Sequence, residues 1–174
     1  MKSVASFIRN QVIANIVINF TLAYYLSKHA LEGMSVIPYE APVNDMFHPN
    51  MAGDLLVGTF IMGVVLTFVM TTLTRLQNNN GGINLDNLNH SSKIAFLPDQ
   101  LLLRALVVGF LAAMVLALPV AATLDVLKIH SMPSDSYILY HAIYCAVASA
   151  LVCMVVCQRA LIDSPRQPDH RALE

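Results

Sequence analysis

The chain has 174 residues, 56% of them hydrophobic and only 12% charged, with a mean hydropathy of +0.61 and a formal net charge of −1. Soluble domains carry about a quarter charged residues, so the composition excludes an ordinary soluble enzyme, and nothing in it calls for a nucleic-acid partner. It fits a chain whose partner and solvent is the lipid bilayer.

Four stretches, 10–27, 55–74, 105–124 and 136–158, contain no Asp, Glu, Lys or Arg. Each approaches the ~20 residues that cross a ~30 Å hydrocarbon core. The expected fold is therefore an all-α integral membrane protein, a single domain over 1–174. Its transmembrane helices are expected at about 5–28, 52–75, 100–124 and 136–160, with an outer loop 29–51, a cytoplasmic loop 76–98 and a cytoplasmic tail 161–174.

In the first helix, Lys2 and Arg9 precede an apolar run, as in a signal peptide. The length of the run, its two asparagines and the want of a small-x-small cleavage site favour a retained helix. Within IANIVINFTLAYYL, Asn15 and Asn19 continue a row begun by Gln11. At 100° per residue these amides stay on one stripe. Lipid would leave their donors and acceptors unpaired, so the stripe must face protein or water. It serves either as a set of interhelical clasps or as the wall of a hydrated path.

The outer loop, LEGMSVIPYEAPVNDMFHPNMAGD, is long for a connection between neighbouring helices. It is expected to fold over the mouth of the bundle. Asp45 and His48 are three residues apart there, with Asp54 nearby, but no spacing matches a defined zinc pattern. The second helix, TFIMGVVLTFVMTTLTR, adds hydroxyls at Thr67 and Thr71 to the candidate lining. The Asn- and Gly-rich loop QNNNGGINLDNLNHSSK reads as a cytoplasmic linker. On that side of the membrane its sequon at Asn89 is a chance match.

Pro98 is placed to open the third helix, whereas Pro119 falls inside it, frees the carbonyl of Val115 and predicts a kink that is a candidate hinge. The fourth helix holds all three cysteines, Cys145, Cys153 and Cys157, with no C-x-x-C spacing. They read as small buried residues rather than a redox or disulfide framework. His141, Cys145, Ser149 and Cys153 form a row four apart, but its drift of about 120° wraps it around the helix and makes it a poorer candidate for one site.

Small residues recur every fourth position in three helices: Thr59, Gly63, Thr67 and Thr71; Ala105, Gly109, Ala113, Ala117 and Ala121; Ala142, Ala146 and Ala150. Membrane helices associate through close backbone approach, so these are packing seams, within one chain or between protomers.

Eight basic residues, Lys2, Arg9, Arg75, Lys93, Arg104, Arg159, Arg166 and Arg171, fall in or beside the amino terminus, the central loop and the carboxyl tail, against Lys28 and Lys128 in the other loops. The positive-inside rule then places both termini in the cytoplasm, in a plasma or inner membrane. The outer segments carry six carboxylates, so Asp45, His48, Asp54, Asp125 and His141 are assigned to a cation-attracting outer mouth. The two hairpins share a layout, which a positive-inside four-helix chain shows with or without duplication.

The leading functional expectation is a small polytopic protein, oligomeric, that forms or contributes to a pathway for an ion or small polar solute. No charge sits at mid-membrane, where ion-coupled transporters usually carry one, so a passive pathway fits better than a pump. The alternative is a non-catalytic accessory subunit or assembly factor of a larger membrane complex. A haem-binding redox protein using His29, His130 and His141 ranks lower, because only His141 lies within a helix. No P-loop, G-x-S-x-G or dinucleotide fingerprint is present. The expectation leans away from an enzyme, and no cofactor is expected.

Overall fold

A computed structural model describes residues 2–41, 45, 48–84 and 96–163. The Asn89 sequon and nearly all of the expected cytoplasmic tail lie outside them. The elements run β1 (Lys2–Ser3), α1 (Val4–Ala30), β2 (Val36–Pro38), α2 (Met51–Asn79), β3 (Ile83–Asn84), α3 (Leu101–Ala112), a π turn (Ala113–Ala117), α4 (Leu118–Val126), β4 (Ser131–Pro133) and α5 (Ser134–Ile162). Among the described residues three helical rods are long and apolar enough to cross a membrane: Met51–Asn79, Leu101–Val126 and Ser134–Ile162. The first helix, Val4–Ala30, is as long, but Gln11, Asn15 and Asn19 dilute its hydropathy.

Local chemistry fixes the helix starts. Ser3 caps α1 by accepting from the Ser6 amide at 3.3 Å. Asn50 caps α2 by accepting from the Gly53 amide at 2.7 Å, with Asp54 in the first turn against the positive end of the helix. The third rod begins at Leu101 rather than at Pro98, whose carbonyl accepts instead from Arg104 Nε at 2.8 Å. The irregularity expected from Pro119 takes the form of the π turn just before it, where the Leu118 amide reaches back to the Ala113 carbonyl. A wider turn accommodates a ring that cannot donate to the carbonyl four residues earlier.

In the bundle α1 packs on α5, α5 on α2, and α2 on the α3–α4 rod. Contacts along these seams set the directions. Ser27 meets His141 and Asn15 meets Cys153, so α1 and α5 are antiparallel. Asp54 meets Tyr137 and Thr74 meets Cys157, each pair 83 residues apart, so α2 and α5 run parallel. The small-residue rows close these seams within the chain: Thr59, Thr67, Thr71, Ala105, Ala113, Ala117, Ala121, Ala142 and Ala146 are all buried. The tightest crossing is Gly63 on Gly109, where a Cβ on Gly63 would stand 2.8 Å from the Gly109 Cα.

The two hairpins repeat more than their charge layout. Each odd rod ends in a left-handed residue, Gly33 (φ 86°) after α1 and Lys128 (φ 56°) after α4. Lysine adopts this region at a cost that glycine avoids. Five residues further on stand Pro38 and Pro133, which close the two short strands. These strands pair antiparallel about Ile37 and Met132, with Val36 opposite Pro133 and Pro38 opposite Ser131. A local twofold axis through the central pair exchanges one strand for the other. Helices α2 and α5 are both 29 residues long and side by side in register. The first hairpin differs chiefly by the segment between Pro38 and Met51, where Pro133 leads directly into α5.

Candidate functional site

Polar side chains gather where α5 lies between α1 and α2, in a column with three levels. At the end bearing β2 and β4, Tyr137 is fully buried and donates to Asp54 Oδ2 at 3.0 Å. Its ring stacks on His141, centroid to centroid 5.6 Å. His141 Nδ1 shares a hydrogen bond with Ser27 Oγ at 2.9 Å, and its Nε2 lies 3.4 Å from Cys145 Sγ. One turn along, Thr59 and Tyr144 share a 2.7 Å hydrogen bond. Five elements of hydrogen-bonding chemistry (carboxylate, phenol, imidazole, hydroxyl and thiol) thus meet at one helix junction.

At the middle level Asn15 is buried. Its Nδ2 donates to the Gln11 carbonyl at 3.0 Å and lies 3.3 Å from both Met70 Sδ and Cys153 Sγ. Asn19 Nδ2 donates to the Asn15 carbonyl at 3.0 Å and to Asn15 Oδ1 at 3.3 Å. Gln11 and Asn19 flank it half-buried. Sulfur is a weak acceptor, so the amide that joins three helices is held by its softest contacts. Below it, Cys153 Sγ stands 3.8 Å from Cys157 Sγ, which is 3.8 Å from Thr74 Oγ1.

Thr67 donates to the Gly63 carbonyl at 2.7 Å within α2. Thr71 is fully buried with its hydroxyl unpartnered. Both are interior residues.

The opposite end of the bundle is closed by ion pairs. Arg104 is fully buried, with Nη2 2.5 Å from Asp163 Oδ2. Arg159, nearly as buried, bonds Asp163, Asp99 Oδ1 at 2.6 Å and the Leu97 carbonyl through Nε and Nη2 at 3.3 and 3.1 Å. Arg75 Nη2 stands 3.9 Å from Asp163. Thus one carboxylate serves three guanidiniums.

The expected mouth residues divide. Asp54 and His141 come together through Tyr137. Asp45 and His48 form their own 3.6 Å pair at the surface. Asp125 lines a separate hollow of about 320 Å³ with Tyr39, Glu40 and His130. The Tyr39 hydroxyl there is pushed above its usual range by burial first and then by Asp125 and Glu40, while it donates to the Ala121 carbonyl at 3.0 Å. His29 and His130 lie exposed, whereas His141 is half-buried. Among the described residues no three His, Cys, Asp or Glu side chains are placed to hold a metal.

Two features lay beyond the sequence pattern. The row from His141 to Cys153 drifts along α5, yet both of its ends meet α1, His141 at Ser27 and Cys153 at Asn15, with Ser149 buried between them. Arg104 and Arg159, read from sequence only as inside markers, are interior residues. The spacing of Arg159 and Asp163, one helical turn, was the available signal. No family model, curated protein or solved structure matches the chain.

Proposed function

We propose that this is a polytopic membrane protein that carries an ion or small polar solute along the seam between α1, α2 and α5. In this reading α1 is a fourth span, both termini are cytoplasmic, and several copies assemble to supply the moving parts that four helices lack. The observation that supports it is the stacking of polar groups along one seam, with Asp54 and Tyr137 at one end, Asn15 and Cys153 in the middle and Cys157 and Thr74 below them. Interhelical polar contacts in membranes contribute only about 0.6 kcal/mol on average. Small apolar residues would join these helices at less desolvation cost. The outer carboxylates Asp45, Asp54 and Asp125 with His48 and His141 concentrate cations at the mouth through their summed field, and Pro119 with its π turn is the hinge. Gln11, Asn15, Asn19, Thr67 and Thr71 line the path.

One observation favours a second reading, an accessory subunit whose column is purely a set of clasps: nearly every member of the column already bonds another protein group. The two readings separate on Asn15→Leu combined with Asn19→Leu. Purified protein in liposomes is assayed for proton, potassium and glycerol flux, with oligomer state measured on the same preparation. The pathway reading expects flux to fall at least tenfold with assembly intact. Unchanged flux in the double variant, or no flux of any probe through the unaltered protein, contradicts it.

A further inference from the structure

We propose that the arginine end of the bundle holds an anionic glycerophospholipid, its acyl chain in the groove between α3 and α5 and its phosphate on the Arg75, Arg104 and Arg159 cluster. The α3 and α5 helices scarcely touch, and the space between them is an apolar groove of about 290 Å³ whose walls include Leu97, Val108, Val115, Leu151 and Val155. An acyl chain is the occupant that such a lining and the surrounding bilayer supply.

The groove leads to positive charge. Arg104 lies one turn before Val108 on α3, and Arg159 one turn after Val155 on α5, so each arginine continues a groove-lining face. Leu97 joins the two regions, since it lines the groove while its carbonyl accepts from Arg159. Among the described residues three guanidiniums face two carboxylates, Asp99 and Asp163, an excess of one positive charge.

The independent sign of a ligand is Arg104 itself. Its side chain is fully buried, yet Nη1 has no hydrogen-bond partner. A buried guanidinium N–H without an acceptor is costly, and a phosphate oxygen is the acceptor that guanidinium geometry matches best. A neutral headgroup would leave the charge uncompensated, and free phosphate would leave the groove uncovered. Basic pockets between membrane helices recognise anionic headgroups through this combination.

The test is native mass spectrometry of the full chain in non-ionic detergent, titrated with phosphatidylglycerol, phosphatidylcholine or inorganic phosphate. Phosphatidylglycerol is expected to bind at least fivefold more tightly than phosphatidylcholine, since each interfacial basic residue contributes about that factor. Arg75→Gln alters a half-exposed side chain, so it spares the buried pair, and it should remove most of that preference. Val155→Trp should fill the groove and weaken both lipids alike. Equal affinity for the two lipids, or an unchanged preference in Arg75→Gln, overturns the proposal. Displacement of phosphatidylglycerol by millimolar inorganic phosphate, with no effect of Val155→Trp, also overturns it and assigns a soluble anion instead.

Discussion

Replacing Asp163 with Asn should destabilise the protein by about 3 kcal/mol, in the range measured when one partner of a buried ion pair is removed. Asp163 is the carboxylate shared by Arg104, Arg159 and Arg75. Arg159 retains Asp99, which is itself exposed, but fully buried Arg104 keeps, among the described residues, the backbone carbonyls of Pro98 and Asp99 alone. The unpaired charge is the source of the loss. Thermal unfolding in detergent, followed by size-exclusion retention, reads the effect. Glu32→Gln, in the exposed pair with His29, serves as the control and should be indistinguishable from the parent. Arg104→Met combined with Asp163→Leu should recover most of the loss, because an apolar pair replaces a buried ionic one with little net cost.

Gly109→Leu should be comparably damaging, by about 3 kcal/mol or enough to prevent folding. A Cβ at Gly109 meets the Phe60 carbonyl oxygen and Val64 Cγ2, each at 2.8 Å. The carbonyl belongs to helix backbone and cannot turn aside, so α2 and the third rod must separate along the seam. Overpacking of a filled interior costs ~1–3 kcal/mol when side chains can adjust, and this crossing leaves the upper end of that range. Gly58→Ala provides the contrast, since nothing lies within 4 Å of its added carbon. Recovery of folded protein by detergent size exclusion distinguishes the two variants.

Much of the fold was legible because membrane helices announce themselves by length and by the absence of charge. The expected 52–75 helix became Met51–Asn79 and the expected 136–160 helix Ser134–Ile162. Their ends moved because Asn50 and the β4 strand set where the chain turns. The small-residue rows were legible as packing faces, but not which helix each would meet. That depended on the pairing of α1 with α5, which no local pattern encodes. The shared face of Gln11, Asn15 and Asn19 was legible because helical periodicity alone determines it. Its sulfur contacts through Met70 and Cys153 were not foreseen, because they come from three separate helices. The arginine cluster was missed for a different reason: counting charges by loop assigns them a side of the membrane and says nothing of their burial.

The central claim is that the column between α1, α2 and α5 admits water and solute during function. The most direct measurement places one cysteine at Asn15 in a cysteine-free background, reconstitutes the protein in liposomes, and follows its reaction with a charged, membrane-impermeant thiol reagent. A cysteine at Ile18, exposed on α1 among the residues that face away from the bundle, is the lipid-facing comparison. Asn15→Cys is expected to react at least tenfold faster than Ile18→Cys, and the transported probe is expected to slow it. Equal and negligible reaction at both positions would show a dry seam, and the pathway would be contradicted.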